Sequence, residues 1–153
     1  ANFAFGQGDL LMTPVQMLKV YHVLATGNYI DVKLIRGLAD YKCALTAEKD
    51  NIPVKLLSSS TVTQLRQMLS SVVRNGNADN AYSELVSLSG KTGTAQSGIY
   101  HNGKEICRTW FAGFFPSDNP HYVVVVMSEK GSSGNRDCAP VFKKICEKIC
   151  TVN

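Results

Sequence analysis

The chain reads SGKTGTAQ at residues 89–96, WFAGFFP at 110–116 and HYVVVVM at 121–127. Thr, Val and aromatic residues recur in these stretches, and Asn, Gly and Pro separate them, which is typical of strands joined by hairpin loops. The unbroken valine run indicates a strand covered on both faces. We therefore predict three antiparallel strands and two loops, with the strands at residues 86–98, 108–115 and 121–127 and the loops at 99–105 and 116–120.

Helices are predicted on both sides of these strands. The first begins at Thr13-Pro14, because Thr is a good N-cap and Pro suits the first helical position, and it ends at Gly27. Its apolar face is expected to consist of Leu11, Val15, Leu18 and His22, with Met17, Tyr21 and Leu24 beside them.

Two more helices complete the prediction. One starts in a capping box between Thr61 and Gln64 and ends at Asn75-Gly76, and the other begins near Pro140. Helices that cover the two faces of an antiparallel sheet make an α+β fold. The buried helical positions are expected to be Val62, Leu65, Leu69 and Val72 in the former helix, and Phe142, Ile145 and Ile149 in the latter.

Residues 28–57 show no dominant hydrophobic period. Two short extended segments are suggested there, by Val32, Leu34 and Ile35 and by Cys43, Ala44 and Leu45. No repeat or linker marks a second domain, so all 153 residues are expected to belong to one domain.

The charge pattern argues against a nucleic-acid partner. The formal net charge is +4, but the Lys and Arg residues are scattered rather than gathered in a basic stripe. The sequence also lacks a run of about 18 apolar residues, which a membrane-spanning helix would need.

Five cysteines leave two structural alternatives open. They are buried small apolar side chains, or two of them form a disulfide such as Cys107–Cys138. Cys146 and Cys150 share a helix face, but no His is placed to complete a metal site with them. We therefore expect neither a metal nor a cofactor.

The residues of the first predicted strand suit an anionic ligand. Lys91 supplies a fixed positive charge, and the hydroxyls of Thr92 and Thr94 point to the same side of a strand because they are two residues apart. Gly93 between them lets a ligand approach the backbone closely. This combination predicts a carboxylate site with a backbone N–H nearby that can stabilise an oxyanion.

Four stretches in the same order resemble class B penicillin-binding proteins, the monofunctional peptidoglycan transpeptidases. They cover nearly the whole chain, and Lys-Thr-Gly-Thr resembles the third of the three signatures of that family. The four stretches are Gly6-Gln7-Gly8 with Thr13-Pro14-Val15-Gln16, residues 90–96, residues 110–116, and Ala139-Pro140-Val141-Phe142.

The resemblance implies a β-lactamase/transpeptidase-like fold and a serine acyl-transferase that cross-links stem peptides ending in D-Ala-D-Ala and reacts with β-lactams. By position, Lys91 would help to move protons, while Thr92 and Thr94 would hold the substrate or drug carboxylate. The backbone N–H of Thr94 would be one oxyanion donor, Gly93 would admit the ligand, and Gln96 would line the strand further out. The parent would lie on the outer face of a bacterial cell membrane, anchored by a segment outside this chain.

The nucleophile is the main departure from the family pattern. No Ser-x-x-Lys occurs in the sequence, and Ser133-Gly134-Asn135 follows the third strand, where we interpret it as a turn. Residues 1–153 are therefore expected to be the C-terminal portion of a transpeptidase domain. The missing portion would complete the sheet, or the chain would self-associate. A D,D-carboxypeptidase or β-lactamase, or a penicillin-sensing domain without turnover, are the alternative functions.

Histidine offers no second route to catalysis. His22, His101 and His121 have no Asp or Glu placed to form a triad with them. The sequence therefore does not favour a Ser-His-Asp hydrolase.

Overall fold

The computed structural model describes residues 11–35, 37–39, 45–47 and 51–152. Gly6-Gln7-Gly8, which is part of the family resemblance, lies outside these residues, as do Cys43 and Ala44 of the second predicted extended segment.

The described residues form helices α1–α4 and strands β1–β7, and β5, β6 and β7 make one antiparallel sheet in that order. This arrangement confirms the α+β prediction. The helices are Pro14–Thr26, Ser59–Asn75, Gly134–Asp137 and Ala139–Val152, and the strands are Asn28–Tyr29, Gly37–Ala39, Leu45–Ala47, Val54–Lys55, Ser89–His101, Lys104–Phe115 and Tyr122–Gly131.

The β5–β6 hairpin is longer than predicted. Its turn is Asn102-Gly103, where both residues have positive φ (51° and 75°), so the expected loop at 99–105 is wrong. Asn-Gly suits this two-residue turn because both residues tolerate the left-handed region. Since β7 ends at Gly131, which pairs with Cys107, the hairpin continues beyond that pair as a two-stranded ribbon.

The segment between α1 and α2 forms two small antiparallel pairs, β1 with β4 and β2 with β3. The extended segment predicted at Val32, Leu34 and Ile35 is not a strand, and the side chains of Leu34 and Ile35 are exposed. Neighbouring backbone supplies the pairing instead, since Asn28 and Tyr29 pair with β4. Strand β3 includes Leu45 of the second predicted segment.

Helix α1 has the predicted ends but a different buried face. Thr13 and Gln16 form a capping box, Pro14 is the first helical residue, and Gly27 ends the helix at φ 79°. The buried residues are Tyr21 and Ala25, with Met17 and Leu24 beside them. Leu11 of the expected face is exposed, because α1 packs on β6 and β7 through the neighbouring stripe.

Helix α2 begins earlier than predicted. Its N-cap is Ser58, whose hydroxyl accepts from the Thr61 backbone N–H, so the proposed Thr61–Gln64 capping box is wrong. The end at Asn75-Gly76 is confirmed. Val62 of the expected stripe is buried, and Leu69 and Val72 pack against the two cores.

Helix α4 buries Cys146 rather than Ile145, which is 38% exposed. Cys138 and Cys146 are buried, as expected of structural thiols, whereas Cys150 is exposed. The disulfide between Cys107 and Cys138 is not formed: both thiols are free, and the Cys138 thiol donates to the Thr109 carbonyl at 3.3 Å.

Two apolar cores sandwich the sheet. Between them, Gly90 pairs with Gly113, and a Cβ on Gly113 would lie 2.9 Å from the Phe142 ring. This glycine pair therefore lets α4 approach the sheet closely. On the α1 side the core holds Tyr21, Ala25, Ala112 and Phe114, and on the α4 side it includes Phe111, Phe115, Cys138, Phe142 and Cys146.

Candidate functional site: the outer edge of strand β5

Strand β5 passes from the core to the surface between Gly90 and Lys91. Ser89 and Gly90 are buried, and the Ser89 hydroxyl donates to the Ser117 hydroxyl at 2.8 Å. Lys91 is exposed. The first charged residue of the candidate site therefore follows directly on a fixed, hydrogen-bonded part of the strand.

The sheet register places the two hydroxyls of the candidate site on one face. Thr92 pairs with Phe111 and Thr94 pairs with Thr109, and both partners are buried on the α4 side. Paired residues in an antiparallel sheet share a face. Thr92 and Thr94 therefore lie on the α4 face, as the spacing predicts.

Lys91 starts on the opposite face, because it pairs with Ala112 of the α1-side core. Its side chain nevertheless turns back to Thr92. The ammonium donates to the Thr92 hydroxyl and carbonyl, each at 3.1 Å. The structure thus brings the cation and the first hydroxyl together at the strand edge.

Thr94 contacts a segment that the sequence did not connect to the site. Its hydroxyl oxygen accepts from the Gly134 backbone N–H at 3.2 Å. The tripeptide Ser133-Gly134-Asn135, interpreted as a turn, is instead the N-cap and the first two residues of α3, and this helix start lies beside β5. The two contacting residues are 40 positions apart, so no local sequence signal pointed to the contact.

Gln96 lies further along the same strand and is exposed. Its side-chain amide donates to one carboxylate oxygen of Glu105 at 3.0 Å, and the Gly98 N–H donates to the other oxygen, also at 3.0 Å. Glu105 therefore fixes Gln96 at the point where the register shifts between Gln96 and Ile99.

The histidines lie in separate structural contexts. The His22 ring nitrogen Nδ1 lies 2.9 Å from the Asn28 carbonyl, and His121 Nε2 lies 3.2 Å from the Asn119 amide. His101 is exposed at the tip of the hairpin. Within the described ranges, no group of three or more His, Cys, Asp or Glu residues could hold a metal ion.

None of α1 to α4, the helices of the described residues, has the length and apolar character needed to cross a membrane.

The family defined by the penicillin binding protein transpeptidase domain matches residues 1–147, so this chain belongs to that family. The resemblance seen in the four sequence stretches is thereby confirmed. The three-stranded sheet with helices on both faces is accordingly part of the β-lactamase-like fold of these domains.

The chain is also similar to individual named proteins. The chain is 29% identical over 97% of its length to a peptidoglycan D,D-transpeptidase FtsI homolog of Mesostigma viride, of which it covers 28%. It is 35% identical over 95% of its length to stage V sporulation protein D of Bacillus subtilis, covering 24%. The chain thus spans only about a quarter of these relatives.

A solved structure gives the same match in three dimensions. Penicillin binding protein 3 of Mycobacterium tuberculosis, complexed with aztreonam, superimposes with a TM-score of 0.84 at 28% identity. The alignment covers 99% of this chain and 37% of that one.

Proposed function

We propose that the protein carrying this chain is a peptidoglycan D,D-transpeptidase. The observation that carries the proposal is the contact between the Lys91 ammonium and the Thr92 hydroxyl at the edge of β5, in a chain of the transpeptidase family. A cation and a hydroxyl held together provide charge and direction for a carboxylate. The relatives named as D,D-transpeptidases favour transfer to an amine over hydrolysis or penicillin sensing.

The proposed reaction proceeds through a serine acyl-enzyme. A serine from the remainder of the domain attacks the penultimate carbonyl of a stem peptide, D-Ala leaves, and the amine of a second stem peptide takes the acyl group. β-Lactams mimic the donor and form a slowly hydrolysed adduct. Both ligands carry a carboxylate, which Thr92 and Thr94 bind next to the Lys91 charge.

Other residues of the strand shape the same site. Lys91 assists proton transfer, the Thr94 backbone N–H stabilises the oxyanion, and Gly93 keeps the backbone accessible to the ligand. Gln96 contacts the more distant part of the substrate.

The cellular setting belongs to the same proposal. Residues 1–153 form the C-terminal portion of the domain, and the remaining portion supplies the nucleophile. Relatives named as D,D-transpeptidases support a place in cell-wall synthesis, outside the cytoplasm. The membrane anchor lies elsewhere in the parent protein.

Substitution of Lys91 tests the proposal in the complete protein. We expect Lys91→Ala to slow acylation by a fluorescent penicillin by about 100-fold or more, because the charge acts in the transition state. Lys91 is exposed, so the free energy of unfolding should change by less than about 0.5 kcal/mol. Lys104→Ala, at the far end of the hairpin, is the matched control and should acylate normally.

The chain alone provides a second arm of this test. Without a Ser-x-x-Lys it has no nucleophile for an acyl-enzyme, so intact-mass measurement should detect no penicillin adduct. An adduct on the isolated chain, or equal acylation by Lys91→Ala and the parent protein, would contradict the proposal.

A further inference from the structure

Asp137 holds the connecting turn from the end of β7 to the start of α3, residues 131–134, by two hydrogen bonds. Its Oδ2 accepts from the backbone N–H groups of Ser132 and Ser133, at 2.6 and 2.9 Å. These donors, Ser133 first and then Ser132, lower the pKa of the Asp137 carboxyl below its ordinary value of 3.8. The group is therefore ionised at neutral pH, and its hydrogen bonds are charge-assisted.

The turn lies directly on strands β5 and β6. A Cβ on Gly134 would clash with the Trp110 carbonyl and lie 2.7 Å from the Gly93 carbonyl. At the other end, a Cβ on Gly131 would clash with the Thr109 hydroxyl and lie 2.6 Å from Asp137 Oδ2. Both ends of the turn are thus too close to their neighbours for any side chain, and the turn cannot shift toward the sheet.

This turn also contacts the candidate site. The Gly134 N–H donates to the Thr94 hydroxyl oxygen, which directs the hydroxyl proton away from Gly134. The next residue after Asp137 is anchored as well, because the Cys138 thiol donates to the Thr109 carbonyl. Asp137 therefore connects the Cys138–Thr109 contact in the core to the Thr94 hydroxyl on β5.

We propose that Asp137 is a positioning residue that, through residues 132–134, fixes the orientation of the Thr94 hydroxyl for binding the carboxylate of the substrate or β-lactam. Asp137 does not itself touch the ligand. The inference rests on the proposed function, because the carboxylate site at Thr94 is part of it. It adds a residue outside β5 on which the geometry of that site depends.

A double-mutant cycle in the complete protein tests this coupling. Asp137→Ala should lower the second-order rate constant of penicillin acylation by about tenfold, mainly by raising the penicillin concentration that gives half the maximal rate. In a Thr94→Val background the same substitution should change that constant less than about twofold. Glu129→Gln, an exposed carboxylate at the end of β7, is the control and should acylate normally.

Hydrogen exchange gives a readout that does not depend on acylation. The Gly134 amide should exchange faster in Asp137→Ala than in the parent protein. Asp137→Asn should show a smaller effect on both measurements, because its amide oxygen can accept the same bonds without the charge. If Asp137→Ala does not fold, the same two measurements on Asp137→Asn test the proposal.

The two proposals fail in different ways. A parent protein that penicillin does not acylate would overturn the proposed function, while Gly134 exchange would still decide the role of Asp137. Unchanged Gly134 exchange in the substituted proteins would overturn the positioning role. The positioning role would also be overturned if Asp137→Ala slowed acylation equally in the parent protein and in the Thr94→Val background.

Discussion

Gly90 and Gly93 are three residues apart on β5, yet the space around them differs. A Cβ on Gly90 would lie 2.5 Å from the Phe111 ring and 2.8 Å from the Ala112 carbonyl. A Cβ on Gly93 would meet only the Trp110 side chain, at 3.3 Å or more. The fold therefore requires glycine at the first position, whereas at the second position a methyl group fits once Trp110 moves by a few tenths of an ångström.

Alanine at the two positions should separate stability from activity. Gly90→Ala should lower the free energy of unfolding by about 1–3 kcal/mol, because backbone and a buried ring must move. Gly93→Ala should lower it by less than about 1 kcal/mol and still slow penicillin acylation by roughly tenfold, since the added methyl group, on the face of Lys91, narrows the approach to the edge of β5. Chemical denaturation and acylation kinetics measure the two effects. Normal acylation by Gly93→Ala would show that close approach at this position is not needed.

At this scale, local rules predict only part of the site. The shared face of Thr92 and Thr94 follows from the two-residue period of a strand. The contacts of Thr94 with Gly134 and of Ser89 with Ser117 join residues 40 and 28 positions apart. Such contacts depend on how the elements pack, so the sequence contained no local pattern from which to predict them.

Arg66 of α2 connects three elements of the fold. Its Nε donates to the Ala25 carbonyl at 2.8 Å, and its Nη1 donates to the Asp118 carbonyl at 2.7 Å. Ala25 is in the last turn of α1, where carbonyls lack helical partners. Asp118 is in the loop between β6 and β7. One guanidinium thus holds a helix end and a hairpin loop against α2.

Removing this guanidinium should destabilise the protein. We expect Arg66→Ala to lower the free energy of unfolding by about 2 kcal/mol, because the part-buried hydrogen bond to the Ala25 carbonyl and the exposed one to the Asp118 carbonyl both lose a charged donor. Arg66→Lys should restore only part of the loss, since one ammonium cannot reach both carbonyls with the same geometry. Arg74→Ala, an exposed arginine on the same helix, should cost about 0.5 kcal/mol or less. Equal effects at both positions in urea denaturation would contradict this role.

The sequence predicts which helices form, and where they begin and end, better than it predicts which of their faces are buried. Thr13, Pro14 and Gly27 mark the ends of α1 because capping is a local interaction. The buried faces of α1 and α4 differ from the predicted ones because several stripes of each helix are apolar. Which stripe is buried depends on where the sheet lies, as with Cys146 rather than Ile145.

Across the whole molecule, the outer edge of β7 stands out. Among the strands of the described residues, β7 pairs only with β6. Its residues 123–127 are half-buried although they form a continuous apolar run. An apolar edge strand of this kind favours pairing with another strand. We infer that the remainder of the domain supplies that strand in the complete protein.

The isolated chain should therefore self-associate. Sedimentation velocity over a roughly hundredfold range of concentration should show oligomers that dissociate on dilution, because association depends on protomer concentration. The complete protein at the same concentrations serves as the comparison. A stable, folded monomer of the isolated chain throughout that range would show that the β7 edge needs no partner.

The hairpin formed by β5 and β6 has one more consequence for ligands of the site. Near Gly90 the strand is fixed by buried contacts, whereas beyond the Cys107–Gly131 pair only two strands remain and the side chains of Ile99 and Tyr100 are exposed. Mechanical compliance should rise along the strand from Lys91 toward His101. An inhibitor must therefore match the geometry around Lys91 as it stands, while a bulky substituent directed toward Tyr100 can bend the ribbon to make room for itself.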